Sequence, residues 1–97
     1  MDNIIIIKEL KQGIDNINVL LSKVDEILSD IDDDNVIESL MLALEALYIK
    51  IEVTRHCIQE MKIGTATETY GIRVIEDNRK TISGFEEKIL DLSSSKK

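Results

Sequence analysis

Between Val36 and Ile63 apolar residues recur in alternating steps of three and four: Ile37, Leu40, Leu44, Leu47, Ile51, Ile58 and Met61, with only Thr54 interrupting. That spacing is the seam of a coiled-coil-like helix. A second apolar set, Met41, Leu42, Tyr48, Ile49 and Val53, falls outside the seam. In the first half of the stretch only Glu38, Ser39, Glu45, Lys50 and Glu52 keep the helix polar. A helix apolar over most of its circumference needs cover on more than one side. This stretch is therefore expected to be the element around which the chain is organised. Its second apolar set is expected to exceed what one copy can bury.

Two more segments share the period. In residues 3–31 Ile7, Leu10, Ile14, Ile17, Leu21, Val24, Leu28 and Ile31 form a seam, widened on one flank by Ile6, Leu20 and Ile27. Gly13, Asp15, Asn16 and Asn18 are poor helix formers, which makes that region a candidate kink. Ile4–Ile7 has β-propensity, but no second strand candidate exists to pair with it, so helix is preferred. In residues 66–92 the seam is Ile75, Asn78, Ile82, Phe85, Ile89 and Leu92, with Ile72 and Val74 added near the start. Gly71 and Gly84 each lower helix propensity, and Gly84 is a candidate for close packing.

The connections read as short. Residues 30–35 form an acidic turn, and Asn35 with Glu38 resembles a capping box for a helix over 36–63. Gly64 suits a left-handed C-cap, and Thr65 with Glu68 repeats the capping signal. Short links between long helices make antiparallel neighbours. The expectation is an all-α fold: a single domain over 1–92, built as an antiparallel up-down-up three-helix bundle. Each helix is about 42 Å long at the α-helical rise, and 93–97 is a frayed tail.

Composition agrees. The 97 residues include no proline, no tryptophan and only Tyr48, Tyr70 and Phe85 as aromatics, so the core must be aliphatic. Scarcity of proline and glycine favours helices over a turn-rich β fold. The formal net charge of −7 argues against binding nucleic acid through phosphate and against docking on anionic membranes. It suits a basic protein partner. The lone Cys57 cannot form an intrachain disulfide, and no apolar run approaches the length of a secretory core or a membrane helix. A cytoplasmic location is expected.

Candidate sites are few. Asp30, Asp32 and Asp34 stand at the first, third and fifth positions of an EF-hand-like loop. Asn35 replaces the required glycine, however, and Met41 stands where a bidentate glutamate is needed. With Asp33 they read as a solvated acidic tip that caps a helix. Glu52, His56 and Glu60 share one helix stripe, but a single imidazole on a single helix leaves a metal site incomplete. Charge pairs such as Glu52 with Arg55 suit that stripe better. His56 and Cys57 are adjacent, so their side chains diverge and cannot act as base and nucleophile. Cys57 reads as a packing residue. No phosphate loop, Ser-His-Asp set or Cys-x-x-Cys pair is present in the sequence. Neither an enzyme, a cofactor nor a small-molecule substrate is expected. Arg73, Arg79, Lys80 and Lys88 alternate with Glu76, Asp77, Glu86 and Glu87, which describes a solvated face. Asn78 carries two readings: a buried register-fixing group, or an edge residue that reaches water.

The functional expectation is a non-enzymatic helical-bundle protein acting by protein–protein interaction, first of all as a homodimer through Met41, Leu42, Tyr48, Ile49 and Val53. The alternative is a small acidic inhibitor, antitoxin or immunity-type protein that binds a basic target through Asp30, Asp32, Asp33 and Asp34. Length and helical layout are similar to those of the small helical-hairpin substrates of type VII secretion. The W-x-G turn of those proteins is missing here, and three capped segments fit the chain better than two, so no family is assigned.

Overall fold

In the computed structural model, which describes residues 3–94, three helices follow one another: α1 (Asn3–Leu28), α2 (Asp34–Ile63) and α3 (Glu68–Ser94). Ile6 and Leu10 near the start of α1 share a core with Cys57, Ile58 and Met61 near the end of α2 and Val74 near the start of α3. Ile17, Leu20 and Leu21 further along α1 pack with Leu47 and Ile51 of α2, and with half-buried Ile82, Phe85 and Ile89 of α3. These pairings run α1 and α3 in one direction and α2 in the other. The three helices therefore form the expected up-down-up bundle, a rod of 49 × 19 × 16 Å.

The helix ends differ from expectation by one turn or less. α1 stops at Leu28 rather than at residue 31, where Ser29 turns its hydroxyl back onto the Glu26 carbonyl at 2.7 Å. Asp33, not Asn35, caps α2: its backbone is extended and its carboxylate accepts the Asn35 N–H at 2.9 Å. An aspartate in that place both satisfies an orphan donor and meets the positive helix end. Gly64 ends α2 as expected, left-handed at φ 82°. Thr65 closes that end by donating its N–H to the Glu60 carbonyl at 2.9 Å, so it belongs to the cap of α2. The start of α3 is capped instead by Thr67, whose hydroxyl accepts the Tyr70 N–H at 3.1 Å. α1 is unbroken through Gly13, Asp15, Asn16 and Asn18. Of the expected tail, residues 93 and 94 continue α3, and 95–97 lie outside the described residues.

The organising element is α1, not the Val36–Ile63 stretch. α2 and α3 each lie against α1 far more than against one another. The flank residues Ile6 and Leu20 explain this, because they are as fully buried as the seam itself. They make the apolar stripe of α1 wide enough to be covered by two neighbours. In α3 only Gly71, Val74 and Asn78 are fully buried among the described residues, and the seam beyond them is half-buried.

The glycine at a close approach is Gly71 rather than Gly84. A Cβ on Gly71 would stand 2.8 Å from both Ile6 Cγ2 and Met61 Sδ, whereas nothing lies within 4 Å of one on Gly84. Alanine at an open helical site gains helix propensity, and alanine at a filled one must displace its neighbours. Gly84→Ala is therefore expected to raise stability by about 0.5–1 kcal/mol. Gly71→Ala is expected to lower it by about 1 kcal/mol, the clash outweighing the same propensity gain. Urea unfolding followed by circular dichroism reads both. Equal gains would show that α1, α2 and α3 do not meet closely at Gly71.

Candidate interaction surface

α2 turns its Leu40–Leu47–Ile51–Ile58–Met61 seam inward, and Thr54 is buried with it. The second apolar set is left uncovered by α1 and α3: Met41 is 57 % exposed, Leu42 61 %, Tyr48 57 %, Ile49 62 % and Val53 42 %. Scattered exposed apolar residues are ordinary on a surface, but several concentrated along one stretch of one helix mark an interaction site. Leu42, Ile49 and Val53 sit with the small exposed residues Ser39 and Ala46 on one flank of α2, and Met41 and Tyr48 on the other. Between the two flanks runs a row of exposed carboxylates, Glu38, Glu45 and Glu52. Sequence reading found the apolar residues but not this acidic row dividing them.

Next to the Ser39 flank, α2 and α3 draw apart. The resulting groove, about 300 Å³ in volume, is floored by Val24, Leu40, Phe85, Ile89 and Leu92, with Lys88 and Asp91 also lining it. It is continuous with the exposed flank through Ser39 and Ala43. Nothing in the one-dimensional pattern foretold it, since the residues of its floor are regular seam positions.

Several of the groups with chemical potential are engaged in local pairs along α2. Glu52 pairs with Arg55 at 3.2 Å, as the spacing suggested, and His56 Nε2 lies 3.2 Å from half-buried Glu60. Among the described residues no three His, Cys, Asp or Glu side chains converge to hold a metal ion. Asp30, Asp32, Asp33 and Asp34 are exposed at one end of the rod, and Asp33 caps α2. Cys57 is wholly buried in the core with Ile6 and Leu10. That burial, helped by the charge of Glu60, pushes its thiol pKa up from the ordinary value. A protonated, enclosed thiol is a poor nucleophile.

Asn78 is buried at 2 % exposure, which removes the reading that placed it at a watery edge. Its Nδ2 donates to Thr54 Oγ1 at 2.9 Å, and that hydroxyl donates to the Lys50 carbonyl at 2.6 Å. The one polar interruption of the α2 seam thus meets the one polar residue of the α3 seam. Both stand at nearly equal distances from the Gly64–Thr67 turn. An antiparallel hairpin brings such positions level, so the pairing was latent in the numbering.

None of the described helices is long and apolar enough to cross a membrane. No protein-family model, curated protein or solved structure matches the chain.

Proposed function

We propose that the chain is a non-enzymatic binding protein that self-associates as a homodimer through the outer face of α2. The observation that carries this reading is the exposure of Met41, Leu42, Tyr48, Ile49 and Val53 along one helix whose opposite side is already packed. Burying a large aliphatic side chain is worth about 1.5–3 kcal/mol, and a two-fold contact counts each residue twice. Light scattering coupled to size exclusion is expected to give twice the 11.0 kDa chain mass at micromolar concentration. Joint Leu42→Glu and Ile49→Glu substitution is expected to weaken the dimer by more than about a hundredfold while leaving helicity unchanged. A wild-type monomer under those conditions would remove the reading.

The acidic tip supports a second one, in which Asp30, Asp32, Asp33 and Asp34 engage a basic protein as an inhibitor, antitoxin or immunity-type partner. These carboxylates are exposed together. Capture of that kind weakens steeply as ionic strength rises, whereas an apolar helix contact changes little.

A further inference from the structure

We infer that the second copy lies parallel to the first, α2 beside α2, with Leu42, Ala46, Ile49 and Val53 each meeting its own symmetry equivalent. This rests on self-association through α2 and adds its direction.

The four residues follow one another in steps of four, three and four, and all are exposed. They occupy the d, a, d, a positions of a heptad distinct from the one that faces the core. Ser39 precedes them at a and His56 follows at d. In that frame Glu38, Glu45 and Glu52 are the g positions, and Ala43, Lys50 and Cys57 are the e positions. The two flanks of the seam therefore differ in charge: one is wholly acidic, while the other is neutral or basic.

That asymmetry selects the direction. In a parallel pair each g residue meets the e residue five places on in the other chain. Glu45 then faces Lys50 of the partner subunit, and symmetry repeats the contact. Glu38 and Glu52 face the alanine and the buried cysteine of the opposite flank, so neither meets a like charge there. Lys88 and Asp91 both line the groove beside Ala43. Their charges offset each other, which leaves the Glu45–Lys50 contact to carry the preference.

An antiparallel pair that buries the same four residues sets Leu42 against Val53 of the partner subunit and Ala46 against the partner's Ile49. Its two-fold axis stands perpendicular to the helices and keeps each flank on its own side. The row Glu38, Glu45, Glu52 would then face an identical row. Like charges opposed along a helix contact are unfavourable, and like-charge juxtaposition is a main device for rejecting a wrong arrangement.

Directed cross-linking distinguishes the arrangements in the full-length chain. In the parallel pair Ser39 lies beside its equivalent, so Ser39→Cys is expected to form a disulfide-linked dimer under oxidised glutathione. In the antiparallel pair Ser39 lies level with His56 of the partner subunit. The two Ser39 positions are then about 25 Å apart, and only a mixture of Ser39→Cys with His56→Cys links efficiently. Native Cys57 is buried and does not compete. Lys50→Glu is expected to weaken the parallel dimer about tenfold, with the added Glu45→Lys restoring it. Ser39→Cys self-linkage together with charge-swap rescue supports the parallel pair. A light-scattering dimer that links only in the mixture, or in neither experiment, overturns the parallel direction and leaves self-association standing. A monomer overturns self-association itself.

Discussion

Leu20→Ala is expected to lower the free energy of unfolding by about 3–4 kcal/mol, at the upper end of what single substitutions in this core should cost. Leu20 is 2 % exposed and packs among Ile17, Leu21, Leu47 and Ile51, with Ile82, Phe85 and Ile89 of α3 against the same cluster. Truncation there removes a transfer contribution and leaves a cavity that two helices would have to close together. Neither helix can close on the Leu20 position without clashing with the flanking α1 side chains Ile17 and Leu21, so little of the cavity is recovered. Domains of this size are stable by about 5–15 kcal/mol, so the loss is a large fraction of the total. Two comparisons make the claim specific. Ile89→Ala in half-buried α3 is expected to cost about half as much, and Leu90→Ala, at a position 67 % exposed, less than about 0.5 kcal/mol. Urea unfolding of the three variants at one protein concentration reads the order, because association adds to apparent stability. Equal losses for Leu20 and Ile89 would mean that α1 is not the shared neighbour of the other two helices.

The second large effect lies in the polar layer, and it is asymmetric. Thr54→Val preserves side-chain shape but strips the Asn78 amide of its acceptor deep between α2 and α3. A buried donor left without a partner costs about 1–3 kcal/mol, and a loss near 2 kcal/mol is expected. Asn78→Leu should cost much less, because the Thr54 hydroxyl keeps its bond to the Lys50 carbonyl and no donor is orphaned. Once Asn78 is leucine, Thr54→Val should cost little further. A double-mutant cycle is therefore expected to return a coupling of about 2 kcal/mol, the two losses falling far short of additive. Strict additivity would show that the Thr54–Asn78 contact contributes nothing beyond packing. A buried polar pair of this kind also opposes sliding, since a shift of one residue between α2 and α3 separates donor from acceptor. Its loss is therefore expected to broaden the native ensemble as well as to lower its stability.

Much of the architecture was legible in the residues. The three apolar seams gave three helices with ends correct to within a turn, and Gly64 was readable as a left-handed stop because it closes a long periodic run. The surplus on α2 was also legible: Met41, Leu42, Tyr48, Ile49 and Val53 fall outside the seam by spacing alone, and all five remain exposed. The caps were misplaced by two residues, at Asn35 for Asp33 and at Thr65 for Thr67. Adjacent polar residues offer nearly equal capping groups, and the choice depends on how the loop must bend to dock the next helix.

By itself, the sequence determined how many helices form and which side of each seeks apolar cover, because helical period is a property of one chain segment read along its own axis. Only the tertiary structure decided that α1 lies between its neighbours, that Gly71 rather than Gly84 sits where helices touch, and that Thr54 and Asn78 satisfy one another. Those outcomes depend on the rotation and height of each helix relative to the others. A seam specifies neither until side chains from three helices compete for the same space.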